Sequence, residues 1–388
     1  MQGVAMLSKS SWKIVMAGLF FATSAGVVTC PLFAGSGGDA GEPVLLAEMD
    51  PMEPYPAMLH HAGYLWVGQS RKDFDLGYRV TIFNQEDHRI HEIPLKHSVG
   101  TMHAHGPDAI VVTGTAANPN LTAWSVIRVK NGTFSTEHHW IPAEAWASGW
   151  LGVLGGKNYF LDIGGNVNDP DGAFDPNLPA QTVFTMAPGG GRPSYLKHRL
   201  RGPLNGFLLG NQFVIQRKND IGSSESMVVS FDPLTGASKP LFNRALEYAG
   251  EPVSMGDGTR VAVAGSGQVH VANVATGEVV SFETGGTPRS VVAAGNCLVV
   301  GMEQEKKGLV LRAVPGAPIE MVDTFDFNSF GDRLRGLRRV AFDASRGRIY
   351  GQSVYACNPV MTDCSKSWNA VVATPRGTSA AIAEKCRN

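Results

Sequence analysis

Charge is scarce in this chain. Only 17% of its 388 residues are Asp, Glu, Lys or Arg, and 33 basic side chains stand against 34 acidic ones, a formal net charge of -1. A protein that neutralises phosphates normally carries a basic excess, so the balance argues against a nucleic-acid partner. Long hydrophobic runs are missing beyond the first 34 residues, as are sustained heptads, which argues against a membrane span in the mature chain and against a coiled coil. There are five cysteines. None falls in a Cys-x-x-Cys-His motif, so covalently attached c-type haem has no support, and no Cys/His spacing matches a structural zinc module. Nucleophile and nucleotide signatures are missing too: there is no Gly-x-Ser-x-Gly, no P-loop and no dinucleotide fingerprint after a strand. A catalytic set assembled from distant loops would leave no such trace.

What is abundant is punctuation. With 46 Gly and 23 Pro, the chain describes many short strands joined by tight turns. Residues 251–285 state the pattern most clearly. Residues 252–255 open a short strand, Asp257-Gly258 turns it, and residues 260–265 run back with β-branched alternation. Ser266-Gly267 turns again, Val269, Val271 and Val274 mark a third strand, and Thr276-Gly277 leads into a fourth at 279–282. A meander of four strands cannot bury both faces alone. It requires neighbours of its own kind.

The turn between third and fourth strands measures the repeat. Asp232-Pro233-Leu234-Thr235-Gly236 matches Asn273-Val274-Ala275-Thr276-Gly277 about 41 residues further on. Comparable turns occur at Glu86-Asp87, Asn131-Gly132, Gly189-Gly190-Gly191, Pro315-Gly316 and Pro375-Arg376-Gly377. Seven turns at a mean spacing of about 48 residues predict an all-β, seven-bladed β-propeller of four-stranded antiparallel blades over residues 43–388. The last blade lacks an evident outer strand, and a propeller removes its open edge by letting one terminus supply it. Residues 44–48 have the better strand composition; residues 378–385 are Ala-rich. Closure by the N-terminal segment is therefore expected.

The opening unit, with its continuation Gly285-Gly286-Thr287-Pro288-Arg289, resembles the tyrosine-valine-threonine-asparagine class of surface and periplasmic propeller repeats over about 50 residues. The resemblance implies an exported propeller and brings no catalytic motif with it.

Residues 1–34 read as a signal peptide: Lys9 and Lys13 form a positive start, residues 14–28 an apolar core, and Leu32-Phe33-Ala34 a cleavage point before Gly35. A retained membrane anchor and a lipid-modified Cys30 are the weaker alternatives. Residues 35–42 are expected to be a flexible segment. Export permits disulfides among Cys297, Cys357, Cys364 and Cys386. Cys357 and Cys364 lie close together on one long loop and are paired first, leaving Cys297 with Cys386 by elimination.

Three clusters are candidates for chemistry. Nine of the 11 histidines lie between positions 60 and 139. His60 and His61, and His103 and His105, fall on the channel-lining first strands of adjacent blades. Residues two apart share a face, so the two pairs form a candidate Cu or Zn site, against which stands the reading of unconnected, hydrogen-bonded imidazoles. Asp162, Asn166, Asn168, Asp169, Asp171 and Asp175, in an insertion at 164–180, supply the hard oxygen donors that Ca requires, although the same residues are ordinary in solvated turns. Arg333, Arg335, Arg338 and Arg339, with Arg346 and Arg348 beyond, form a basic patch for an anion or an acidic partner, or else a solvated face. Asn120-Leu121-Thr122 and Asn131-Gly132-Thr133 are glycosylation sequons.

A rigid ring with variable loops and no recognisable catalytic set is expected to be a non-catalytic binding or assembly protein of the periplasm, cell surface or extracellular space, holding a protein partner. The alternative is a metal-dependent hydrolase or lactonase, or the propeller subunit of a periplasmic dehydrogenase, centred on the His-rich channel.

Overall fold

The computed structural model describes residues 41–49, 57–69, 77–115, 122–142, 147–162, 183–198, 200, 203–218, 224–334, 336–353 and 369–387. Residues 1–34, expected to be a signal peptide, and Cys30, Cys357 and Cys364 lie outside them.

Each blade is a meander whose strands pair in chain order. Blade 1 comprises Met58–His61, Tyr64–Gln69, Tyr78–Phe83 and Arg89–Leu95; blade 2, Thr101–His105, Ala109–Thr115, Thr122–Lys130 and Thr133–Ile141. Blade 3 is Ala147–Leu154, Lys157–Asp162, Val183–Ala187 and Gly190–Tyr195. Blade 4 is Pro203–Leu209, Gln212–Lys218, Glu225–Phe231 and Ser238–Pro240, with Leu246–Glu247 added beside its third strand. Blade 5 is Val253–Ser254, Arg260–Gly265, Gln268–Asn273 and Val279–Glu283; blade 6, Pro288–Ala294, Cys297–Met302, Lys307–Arg312 and Glu320–Asp326.

Blade 7 takes three strands from the end of the chain, Arg339–Asp343, Arg348–Ser353 and Asn369–Ala373, and its outer strand, Val44–Met49, from the beginning. The N-terminal closure expected from composition is what the chain adopts. The Ala-rich C-terminal stretch is a helix instead, Arg376–Arg387, built from good helix formers and opened by a bond from the Ser379 N–H to the Pro375 carbonyl. Each inner strand touches the inner strand of the next blade, and blade 7 returns to blade 1. The result is a seven-bladed β-propeller.

Packing explains why the middle strands are apolar throughout. Both faces of a blade are covered by neighbours, so Leu65, Trp66, Val67, Val80, Ile82 and Phe83 are all buried although they alternate in direction. Trp66, Val80 and Ile82 pack towards Ile110 and Val112 of blade 2, whereas Leu65, Val67 and Phe83 pack towards Tyr350 and Val371 of blade 7. Seven apolar clusters result, one in each interface between adjacent blades. Burial of such a side chain contributes about 1.5–3 kcal/mol.

The repeated turn has a local cause. Asp232 Oδ1 accepts from the N–H of Leu234 at 2.8 Å, and Asn273 Oδ1 accepts from those of Ala275 and Thr276 at 3.0 Å. Gly236 and Gly277 then take φ of 77°, where a Cβ would be strained. Inner strands all begin on one face of the ring, here the entry face, and end on the other, the exit face. Exit-face connections such as Ala62-Gly63 and Asn131-Gly132 are tight. The long connections depart from the entry face, where Asp162 and Val183, and Ser353 and Asn369, are the flanking strand ends.

A candidate functional site at the channel mouth

Inner strands begin at the entry face, so the residues that open them surround the axis there. Arg338 and Arg339 open the inner strand of blade 7, Arg289 is the second residue of that of blade 6, and Glu251 lies just before that of blade 5. Glu303 follows the second strand of blade 6 and returns to the same face. Arg339 donates two hydrogen bonds of 2.7 Å to the Glu251 carboxylate, one to each oxygen. This is the bidentate fork that a guanidinium makes with a carboxylate. Glu303 Oε1 lies 3.5 Å from Arg338 Nε and 3.9 Å from Arg289 Nε, and Arg289 also donates to the Tyr248 carbonyl at 3.1 Å. Among the described residues three guanidinium groups therefore meet two carboxylates.

Electrostatics confirm the sign. Burial pushes the Glu251 carboxyl up, but the Arg339 guanidinium with its hydrogen bonds, then His103 and Arg289, outweigh it and hold the group at about 2. Glu251 raises Arg339 in turn. Burial keeps the His103 imidazole below its usual range, with Glu251 opposing that and Arg339 adding to it. Glu251 nevertheless keeps 41% of its side-chain surface exposed and Arg339 33%.

The four histidines expected to share a metal go different ways. His60 and His61 are consecutive on a strand, so they point to opposite faces. His60 Nε2 lies 3.5 Å from Asp343 Oδ2, and its ring stacks on Tyr350 at 6.1 Å, towards blade 7. His61 faces blade 2, where the Gly106 backbone and Asp108 act on its imidazole against the lowering effect of burial. His103 and His105 do share a face, as their spacing requires, and both rings meet Trp150, at 6.1 and 5.3 Å. His103 alone reaches the charged group at the axis. Among the described residues no group of three or more His, Cys, Asp or Glu is placed to hold a metal ion.

Of the expected Ca donors, Asp162 is buried and accepts from the Tyr195 hydroxyl at 2.6 Å. Asn166, Asn168, Asp169, Asp171 and Asp175 lie outside the described residues. Within the basic patch, Arg338 and Arg339 reach the channel mouth. Arg346 and Arg348, at the exit-face end of the same blade, do not, and Arg335 and the Arg333 side chain lie outside the described residues. No sequence pattern marks Glu251, Glu303 or Arg289 as site residues. Glu251 stands at the head of the best-stated repeat, a local signal, but its partner is 88 residues away.

Cys297 and Cys386 form a disulfide, as elimination had paired them. It ties the C-terminal helix to the second strand of blade 6.

Among the described residues no helix is long and apolar enough to cross a membrane. No protein-family model matches the chain, and no curated protein sequence matches it. Solved structures do. The extracellular domain of the hybrid two component system BT4673 from B. thetaiotaomicron is 11% identical with a TM-score of 0.52, over 86% of this chain and 42% of that one. The Dos1 propeller is 11% identical with a TM-score of 0.49, over 80% and 75%. A luciferin-regenerating enzyme is 11% identical with a TM-score of 0.44, over 86% and 95%. At 11% identity the likeness to the BT4673 domain is one of fold alone, the β-propeller.

Proposed function

We propose that this chain is an exported, non-catalytic binding or assembly protein that holds an acidic segment of a protein partner on its entry face. The observation that carries this reading is the excess of guanidinium over carboxylate at the channel mouth, on the face from which the long connections depart. Arg339 is held by Glu251, which leaves Arg289 and Arg338 to share Glu303. Both keep 34% of their side-chain surface exposed and have donors to spare for a carboxylate. Seven apolar interfaces hold the ring rigid, so little ordering cost falls on the propeller when it binds. Export to the periplasm, cell surface or extracellular space is supported by the signal-like residues 9–34 and by the disulfide, which fits an oxidising environment.

The test is capture of envelope proteins by the immobilised mature chain, comparing wild type with Arg289→Glu/Arg338→Glu and with an exit-face control, Leu234→Asp. Leu234 is 85% exposed. The expected result is a discrete partner retained by wild type and by the control, lost by the double variant and weakened by salt. Equal capture by all three would remove the entry face from the account. Substrate turnover abolished by a chelator would put the hydrolase alternative in its place.

A further inference from the structure

A second charged constellation lies on the exit face, where blade 7 meets blade 1. Gln85 and Glu86 from blade 1, Ser345, Arg346 and Arg348 from blade 7, and one side of the C-terminal helix enclose a cavity of about 500 Å³. That volume falls in the range of small-ligand sites. Arg346 and Arg376 both line it. Arg346 is braced by Asp343 at 2.6 Å, by the Gln85 carbonyl and by the Tyr350 hydroxyl. Arg376 donates to the Glu86 carbonyl at 3.2 Å.

Arg348 is the informative member. Its side chain is 3% exposed, and one terminal nitrogen donates to Asp87 Oδ2 at 2.5 Å. Its Nε and its other terminal nitrogen are buried with no hydrogen-bond partner among the described residues. A guanidinium in that position is expected to find acceptors, because leaving donors of a buried charge unmet is strongly unfavourable. The two carboxylates behind the wall, Asp87 and Asp343, are already engaged with Arg348 and Arg346. The walls of the cavity carry three guanidinium groups against the single carboxylate of Glu86. The first turns of the helix, with its positive end, lie alongside.

We propose that this cavity binds a small molecule bearing a tetrahedral oxyanion, a phosphate or a sulfate. The guanidinium groups of Arg346, Arg348 and Arg376 hold the anion, and Ser379 and Ala380 form the helix side of the site. Its volume leaves room beyond the anion for the body of a monoester. The site lies on the opposite face from the channel mouth and does not depend on the function proposed above.

Calorimetric titration of the full mature chain with inorganic phosphate, inorganic sulfate and glycerol phosphate, at constant ionic strength in chloride, tests it. Saturable binding of at least one probe is expected. Arg348→Met risks the fold, so the variants are Arg376→Glu and Ala380→Glu, both at exposed helix positions. Each should weaken binding roughly tenfold or more with an unchanged circular dichroism spectrum. Equal affinity for phosphate and glycerol phosphate would identify the free ion as ligand, and tighter binding of glycerol phosphate would identify a monoester. Absence of saturable binding by all three, or wild-type affinity in both variants, would overturn the proposal and assign the two Arg348 nitrogens to water.

Discussion

Arg339 and Glu251 are joined by two hydrogen bonds of 2.7 Å, although one belongs to blade 7 and the other to blade 5. The pair passes over blade 6 at the axis. The pair therefore ties together two blades that are not neighbours in the ring.

Arg339→Met is expected to destabilise the fold by about 1–3 kcal/mol, less than for a fully buried pair because both groups are partly exposed. Most of that loss should return in the double variant with Glu251→Leu, which removes the stranded carboxylate. A double-mutant cycle by urea unfolding at neutral pH gives the coupling; additive losses would show that the two groups do not interact.

Acid should destabilise the protein in two stages. Burial depresses His60, His61, His103, His105, His138 and His270, and lowers His97 to about 4. His97 is buried, with Nδ1 donating to the Ser98 carbonyl at 2.7 Å and Nε2 accepting from the Ser125 hydroxyl at 2.6 Å. A depressed imidazole takes up its proton only on unfolding. Its contribution is complete above the unfolded value of about 6.5 and is lost as pH falls towards 4. Glu251, Asp257 and Asp343, also depressed, add a loss that begins near pH 4.5 and deepens below it. Urea midpoints from pH 7.5 to 4 should therefore fall before any carboxylate titrates. His97→Gln should flatten the upper part of the curve; an unchanged slope would remove His97 from the account.

Reduction should release the C-terminal helix before it opens the ring. The Cys297–Cys386 bridge spans a sequence separation of 89. Cys386→Ser is expected to cost about 2–5 kcal/mol. Cys297 is fully buried, so reduction under native conditions should be slow. Hydrogen exchange in the reduced protein should rise across Arg376–Arg387 while blades 2 to 5 keep their protection; uniform acceleration would mean that the bridge stabilises the whole ring.

Removal of the N-terminal strand should leave a reactive edge. Val44–Met49 covers Asn369–Ala373, with Val44 opposite Ala373 and Met49 opposite Asn369. A chain beginning at residue 50 would expose the unpaired strand, which invites pairing between molecules. Size-exclusion chromatography should show oligomers at concentrations where the full chain is monodisperse. A monodisperse truncated chain would show that the edge is protected in another way.

Much of the fold could be read in the chain because its determinants are local. Asp232 and Asn273 write the same turn by capturing the next backbone N–H groups, and the alternation of Leu65, Trp66 and Val67 feeds two interfaces at once. The shared face of His103 and His105 followed from a period of two. The histidines of blade 1 show where such reasoning ends. His60 and His61 are neighbours in the chain, but one is drawn to Asp343 and Tyr350 and the other to Gly106.

The sequence by itself determined the blade count, the turns and the strand that closes the ring. Each rests on periodicity or turn chemistry, which are properties of short stretches; the bridge between Cys297 and Cys386 is seen only in the structure. Only the tertiary structure decided that Glu251 meets Arg339 and that Arg348 faces a cavity beneath the C-terminal helix. Those relations join residues about 90 positions apart or opposite ends of the chain, and their distances depend on the summed geometry of seven blades. No local pattern carries that sum.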